Sequence, residues 1–248
     1  MEFKDAQYIF QTSSTVSLSK SLVLDTETAL SLVYRFLHEK DFVFLEGLSQ
    51  NVRHDRYSYF GFDSHLKIQC YHDHLTLIYA NGRTEKVTQT VYEALDSILE
   101  KYRVAPNKET RYFSGVMGYM TYECVSYLEK IPLPETRELG LPLAEFIVPK
   151  NVIIVDNMYN KVTAVRNIYK EPEVTLTSDQ FDDEKSTLEA IVTALLAPHD
   201  VPIPSLTQAF EETLDGNDFS PSLSQERFLA AVDTCKEYIK KGDIFQVV

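Results

Sequence analysis

The chain has 248 residues, of which 44% are hydrophobic and 25% charged, and a net charge of −13. That length can bury a sizeable core in one large or two smaller domains. The acid excess argues against nucleic acid or an anionic membrane as a partner, because both attract basic faces.

No apolar run approaches the ~20 residues of a membrane span. The polar start Met1-Glu2-Phe3-Lys4-Asp5 does not read as a signal peptide. Cys70, Cys124 and Cys235 are widely spaced with no Cys-x-x-Cys pair, which argues against a zinc site or a disulfide framework and fits a reducing cytoplasm. The negative charge is concentrated: Glu171 to Glu226 holds 13 acidic residues and one lysine, a composition expected of a solvated connection.

Residues 8–24 alternate loosely, as one strand would. Asp25 is placed to cap a helix whose buried face would be Leu30, Val33, Tyr34 and Leu37, ending near His38–Lys40. Phe42–Leu45 is a short apolar strand followed by Glu46 and Gly47, and Arg56–Gly61 is a further aromatic segment. His65–Tyr71 and His74–Tyr79 read as strands, and Asn81-Gly82 is a strong turn signal. His72 and His74 would share a strand face, but two histidines without a third ligand do not make a metal site.

Thr90–Tyr102 predicts a second helix, with Val91, Leu95, Ile98, Leu99 and Tyr102 on one side. Tyr112–Tyr119 predicts a strand whose Gly115 and Gly118 mark close backbone approach or a bend. Tyr57, Ser58, Gly115 and Gly118 need no ligand to explain them and read as scaffold. Tyr122–Leu128 reads as a short helix closed by Pro132 and Pro134. Leu143–Val148, Val152–Val155 and Lys161–Val165 read as three strands, the last two joined through Asp156–Asn160.

Leu188, Ile191, Val192, Leu195 and Leu196 mark a third helix. It is stopped by Pro198, Pro202 and Pro204, which open an acidic loop to about Ser222. Ser224 caps a fourth helix with Phe228, Ala231, Val232, Cys235 and Ile239 as its buried face and Gly242 as its C-cap. A strand is expected from Ile244, and it stops at Val248 without a turn or polar tail, so the chain reads as the front part of something longer. The mixed order, without β-α-β runs, Gly-x-Gly-x-x-Gly or a P-loop, predicts α+β with mainly antiparallel sheets. The domain expectation is 1–200, a connection over 201–222, and the truncated start of a second region over 223–248.

Pattern alone yields no catalytic constellation. Four segments carry a resemblance, however. Phe44-Leu45-Glu46-Gly47 stands where the large subunit of anthranilate synthase, in the family of chorismate-using enzymes, has Leu-Leu-Glu-Ser. Asp55-Arg56-Tyr57-Ser58-Tyr59-Phe60-Gly61 resembles its Gly-Arg-Tyr-Ser-Phe-Ile-Gly. Ser114 to Glu123 resembles its Gly-Gly-x-x-Gly-Tyr-x-x-Tyr-Asp. Tyr238 to Val248 is close to its Tyr-Ile-x-x-Gly-Asp-Ile-Phe-Gln-Val-Val.

The resemblance implies an incomplete half of the chorismate-enzyme fold, antiparallel sheets packed as a sandwich with helices outside. It implies an enzyme that converts chorismate and ammonia to anthranilate and pyruvate, with Mg2+ as cofactor and a glutamine amidotransferase subunit as ammonia source. The family's catalytic histidine and magnesium-binding glutamates fall beyond Val248, so no metal ligand is expected in this chain, and the chain alone is expected to be inactive.

Gln246 occupies the position where relatives that add water carry a lysine base. A neutral amide cannot take a proton from water, which favours the ammonia-using branch. Glu46 and Gly47 fall where the family binds tryptophan, its feedback inhibitor. Gly47 replaces the family serine, so weakened feedback is expected. Aminodeoxychorismate synthase also has a glutamine at this strand position, but the Arg-Tyr-Ser-Tyr-Phe-Gly wording favours anthranilate synthase. A non-catalytic module that binds a ligand or subunit is the reading from a different class.

Overall fold

The computed structural model describes residues 1–47, 56–104, 113–131, 140–171, 175–198 and 220–247. The chain divides into two compact units, Met1–Val201 and Pro202–Val248.

In the first unit, antiparallel strands form one eight-stranded sheet in the order β1-β8-β7-β3-β4-β5, with β2 added to β3 and β6 to β7. The strands are β1 (Thr15–Val23), β2 (Val43–Leu45), β3 (Tyr57–Cys70), β4 (Leu75–Tyr79), β5 (Thr84–Val87), β6 (Met117–Met120), β7 (Ala144–Asp156) and β8 (Lys161–Tyr169). The helices are α1 (Phe3–Ile9), α2 (Ala29–Val33), α3 (Val91–Lys101) and α4 (Ser178–Leu196), with a 3-10 turn over Tyr122–Tyr127. The α+β antiparallel expectation is what the structure shows.

Two long strands organise this sheet. β3 and β7 pair along their whole length, with a register shift between Ser64 and Leu66. On one side of the shift their outer neighbours are β2 and β8; on the other they are β4 and β6. One sheet thus behaves as two half-sheets joined by strands that pass from one to the other at a bulge.

The sequence reading divided both strands. Arg56–Gly61 and His65–Tyr71 belong to one strand, as do Leu143–Val148 and Val152–Val155. Pro149 separates the latter pair, but it stands opposite Ser64 at the bulge, where a missing N–H disturbs the ladder least. Asp63 adopts a left-handed φ of 56° there. Its carboxylate is held by Arg166 at 3.1 Å and Lys150 at 3.3 Å.

Each half-sheet has its own core. Phe60, Phe62, Ile153, Val155, Val16 and Leu18 meet α1, α2 and α4 in one cluster; Leu66, Ile68, Leu75 and Ala144 meet α3 and the 3-10 turn in the other. Alternate residues of β7 point the opposite way, so Val152 and Ile154 join Val165, Phe113, Tyr57 and Tyr59 on the second face.

Other local expectations shift for identifiable reasons. α1 was missed, because its one buried residue is Ala6 and its first turn is closed by a Glu2–Asp5 capping box rather than by an apolar stripe. α2 is capped by Thr28, not Asp25. Its buried face is Ala29, Leu32, Val33 and Phe36, while Leu30 and Leu37 are exposed. Two apolar stripes compete on that segment, and the one with Phe36 wins by meeting Phe60 and Phe62 at 5.6 and 5.2 Å between ring centroids.

α3 turns Ala94 rather than Leu99 inward. His72 and His74 lie in the turn between β3 and β4 rather than on a strand. The strand expected over 112–119 begins only at Met117; Tyr112 lies outside the described residues. A Cβ on Gly118 would sit 2.0 Å from the Glu145 carbonyl oxygen, so β6 needs this glycine to pair with β7; nothing lies within 4 Å of the corresponding point at Gly115.

In the second unit, α5 (Gln225–Lys241) has the expected ends. Ser224 accepts from the Arg227 N–H, and Gly242 has φ 81°. Its expected buried face is not buried: no residue of α5 is, and Phe228 and Ile239 are exposed. The amphipathic pattern is real, but the described residues beside it within this unit are too few to cover it. The strand expected from Ile244 is absent over Ile244–Val247, and Phe245 is 93% exposed. A strand is defined by pairing, and this run has no partner strand among the described residues. Most of the connection expected over 201–222 lies outside the described residues.

Candidate functional site

The end of β2 delivers Glu46 and Gly47 to a cleft of about 210 Å3 in the first unit. Glu27 and Thr28, at the N-terminus of α2, form another wall. Ser58 of β3, with Asn157 and Asn160 of the β7–β8 hairpin, closes it. Glu46 and Gly47, two of the three site residues expected from sequence, therefore line one cavity together with Ser58, Asn157 and Asn160.

Ser58 is fully buried and central. Its Oγ accepts from the Gly47 backbone N–H at 3.2 Å and from Asn157 Nδ2 at 3.0 Å. A hydroxyl that accepts twice keeps its own proton to donate. It fixes the backbone at Gly47 to the hairpin.

The hairpin is fixed in turn by Arg56. Its guanidinium makes a two-pronged pair with Asp156, with Nε 2.9 Å from the carboxylate. It lies over the rings of Tyr57 and Tyr159 at 4.9 and 4.7 Å. Burial pushes the Asp156 carboxyl up, but the bonds from Arg56 and the Met158 N–H outweigh it and leave the group below its ordinary value. The Asn157 N–H donates to the Arg56 carbonyl at 2.9 Å, and the Leu24 N–H to that of Asn160 at 2.9 Å.

The cleft's charge is acidic. Glu27 is bound by Arg35 at 2.7 Å and by the Ser31 hydroxyl at 2.6 Å, while Glu46 is exposed. Among the described lining residues there is no lysine, histidine or cysteine, so the Ser58 and Thr28 hydroxyls have no histidine or lysine base in that lining. The arrangement is suited to binding. It offers carboxylate and amide acceptors together with the Ser58 hydroxyl.

Gln246 is in the second unit and exposed. Among the described residues, no group of three or more His, Cys, Asp or Glu side chains could hold a metal ion, so no step through magnesium is built on them. No helix among them is long and apolar enough to cross a membrane.

Residues 45–248, from the last residue of β2 through the cleft to Gln246 and beyond, match the family of chorismate binding enzymes. The chain belongs to that family. It is 25% identical over 236 residues to the anthranilate synthase component 1 of Acetivibrio thermocellus, covering 94% of this chain and 47% of that protein. It is 26% identical over 244 residues to the component 1 of Acinetobacter calcoaceticus, covering 95% of this chain and 46% of that protein. The chain therefore spans about half the length of the curated relatives it matches. A solved anthranilate synthase component I, from Streptococcus pneumoniae TIGR4, aligns with 90% of this chain and 45% of its own at 20% identity, with a TM-score of 0.49.

The signal that could have found Ser58, Asn157 and Asn160 is local. Ser58 sits in the Arg-Tyr-Ser-Tyr motif, and the asparagines flank a tight hairpin. Their convergence on Gly47 depends on the β2–β3–β7 pairing, which no short-range pattern encodes.

Proposed function

We propose that this chain is the N-terminal portion of an anthranilate synthase large subunit. The whole protein then adds ammonia to chorismate and releases anthranilate and pyruvate on the route to tryptophan. The observation that carries this reading is the likeness to anthranilate synthase component 1 proteins over 94–95% of the chain, inside a chorismate binding family. A glutamine amidotransferase subunit supplies the ammonia, and the assembly works in the cytoplasm. Magnesium supplies Lewis-acid and templating chemistry when bound, and no described residue is assigned to it.

Within this reading Gln246 marks the ammonia-using branch, since a neutral amide does not deprotonate water. The cleft at Glu46 and Gly47 is the regulatory site, and Glu46 faces the inhibitor's ammonium. Gly47 offers no hydroxyl, so tryptophan binds weakly. Gly47→Ser in the whole protein should tighten tryptophan binding by about three- to tenfold, the worth of one added hydrogen bond. Calorimetry reads this, and an unchanged or weaker affinity contradicts the assignment.

The function itself is tested by placing the natural open reading frame in a bacterial host that lacks anthranilate synthase. Growth without tryptophan is the expected result. Rescue of a 4-aminobenzoate requirement instead would replace this reading with aminodeoxychorismate synthase.

A further inference from the structure

We propose that the Ser58 hydroxyl is the specificity-determining donor of the cleft at Gly47, and that it recognises the carboxylate of the amino acid bound there. This role rests on the reading of that cleft as the regulatory site. Ser58 is fully buried, and its Oγ accepts from the Gly47 N–H at 3.2 Å and from Asn157 Nδ2 at 3.0 Å. With both lone pairs engaged, its proton takes the remaining direction. No acceptor among the described residues receives that proton. A buried donor in a cleft wall, without a protein acceptor, is matched by an oxygen of the ligand.

The hydroxyl is also well placed. It is 3.2 Å from the Gly47 nitrogen. A backbone nitrogen is about 1.5 Å from its own Cα, so the hydroxyl lies within about 5 Å of the point where a side chain at position 47 would begin. It can therefore stand in for the hydroxyl that Gly47 lacks. Its position is fixed in advance. Ser58 pairs with Val155 in the β3–β7 ladder, and the Asn157 N–H donates to the Arg56 carbonyl at 2.9 Å. A donor held in this way loses little freedom when the ligand arrives.

The other lining groups leave the carboxylate to Ser58. The described lining carries no lysine, arginine or histidine to balance an anion. Glu27 is taken up by Arg35 and Ser31, which leaves the exposed Glu46 for an ammonium. Thr28 accepts from the Ser31 N–H as a helix cap. Thr28, Asn157 and Asn160 are exposed, so their bonds to a ligand compete with water. A bond from Ser58 to a carboxylate is charge-assisted, about twice as strong as one between neutral groups. An amine of the same shape without the carboxylate leaves that donor unmatched.

Calorimetry on the whole protein with L-tryptophan and with tryptamine, which lacks the carboxylate, tests this. Wild type should bind L-tryptophan at least about tenfold more tightly than tryptamine. Ser58→Ala should weaken L-tryptophan about tenfold and tryptamine less than about twofold, so that the preference collapses. The preference is read within each variant, so a general loosening of the cleft cancels. Ser58→Cys keeps a side chain of similar shape with a weaker donor. It should lower the preference as well, which covers an alanine variant that fails to fold. Glu46→Gln should weaken both ligands alike, because both carry the ammonium. Equal weakening of both ligands by Ser58→Ala overturns the proposal and leaves the cleft as the regulatory site, as does a wild type that does not prefer L-tryptophan. A wild type that binds neither ligand up to about 10 mM, or a Glu46→Gln variant that binds both as wild type does, removes the regulatory assignment and the proposal with it.

Discussion

α4 and α5 look alike in sequence and differ in what they accomplish. Each begins at a hydroxyl cap, Thr177 or Ser224. Each carries apolar residues at helical spacing, Leu188, Ile191, Val192 and Leu195 in one and Phe228, Ala231, Val232, Cys235 and Ile239 in the other. Phe181 and those four residues of α4 are buried against the sheet, where the helix packs on β8 and β1. No residue of α5 is buried. Periodicity therefore specifies which face is apolar, and caps specify where a helix starts. Neither specifies that a surface is present to receive that face.

Mutations should reproduce the contrast. Phe181→Ala removes a fully buried ring from the α4 core and should lower the stability of the first unit by about 4 kcal/mol in urea unfolding. Gly118→Ala should cost about 3 kcal/mol, because the new methyl meets β7 backbone that cannot step aside.

Acid should act through His65. Its folded pKa, about 4, lies below the ordinary histidine value of 6.5, so between those values the unfolded chain binds more protons. Stability is then complete above pH 6.5 and is lost as pH falls towards 4, by up to roughly 3 kcal/mol. His65→Phe keeps a ring against Tyr102 and Tyr169 and should flatten that part of the pH profile. An unchanged slope would assign the acid sensitivity elsewhere.

The smallest effect belongs to α5. Phe228→Ser at its exposed face should change stability by less than about 0.5 kcal/mol. A loss comparable to that of Phe181→Ala would show that α5 is packed after all.

Legibility from sequence follows the same division. Local chemistry was readable: the Asn81-Gly82 turn, the Gly242 C-cap and the α4 stripe appear as expected, except that Leu196 of that stripe is exposed. Long-range pairing was not. Pro149 broke the apolar pattern of β7, yet the strand passes through it because Ser64 and Asp63 make a bulge opposite. α2 offered two stripes, and only the aromatic partners on β3 chose between them.

The candidate site shows the same limit. Glu46 and Gly47 were found through a motif. Ser58, which binds the Gly47 N–H, was taken as scaffold because its role exists only once β2 lies beside β3. Gln246 was likewise found by motif, and the strand expected around it is not formed.

The proposal for this chain separates a folded binding unit from the chemistry of the whole enzyme. The direct measurement is anthranilate fluorescence after mixing this chain with chorismate, ammonium and magnesium. No anthranilate above the no-protein control is predicted, because the chain spans only 46–47% of the component 1 relatives it matches. Chorismate-dependent anthranilate formation that scales with the concentration of this chain would contradict the separation.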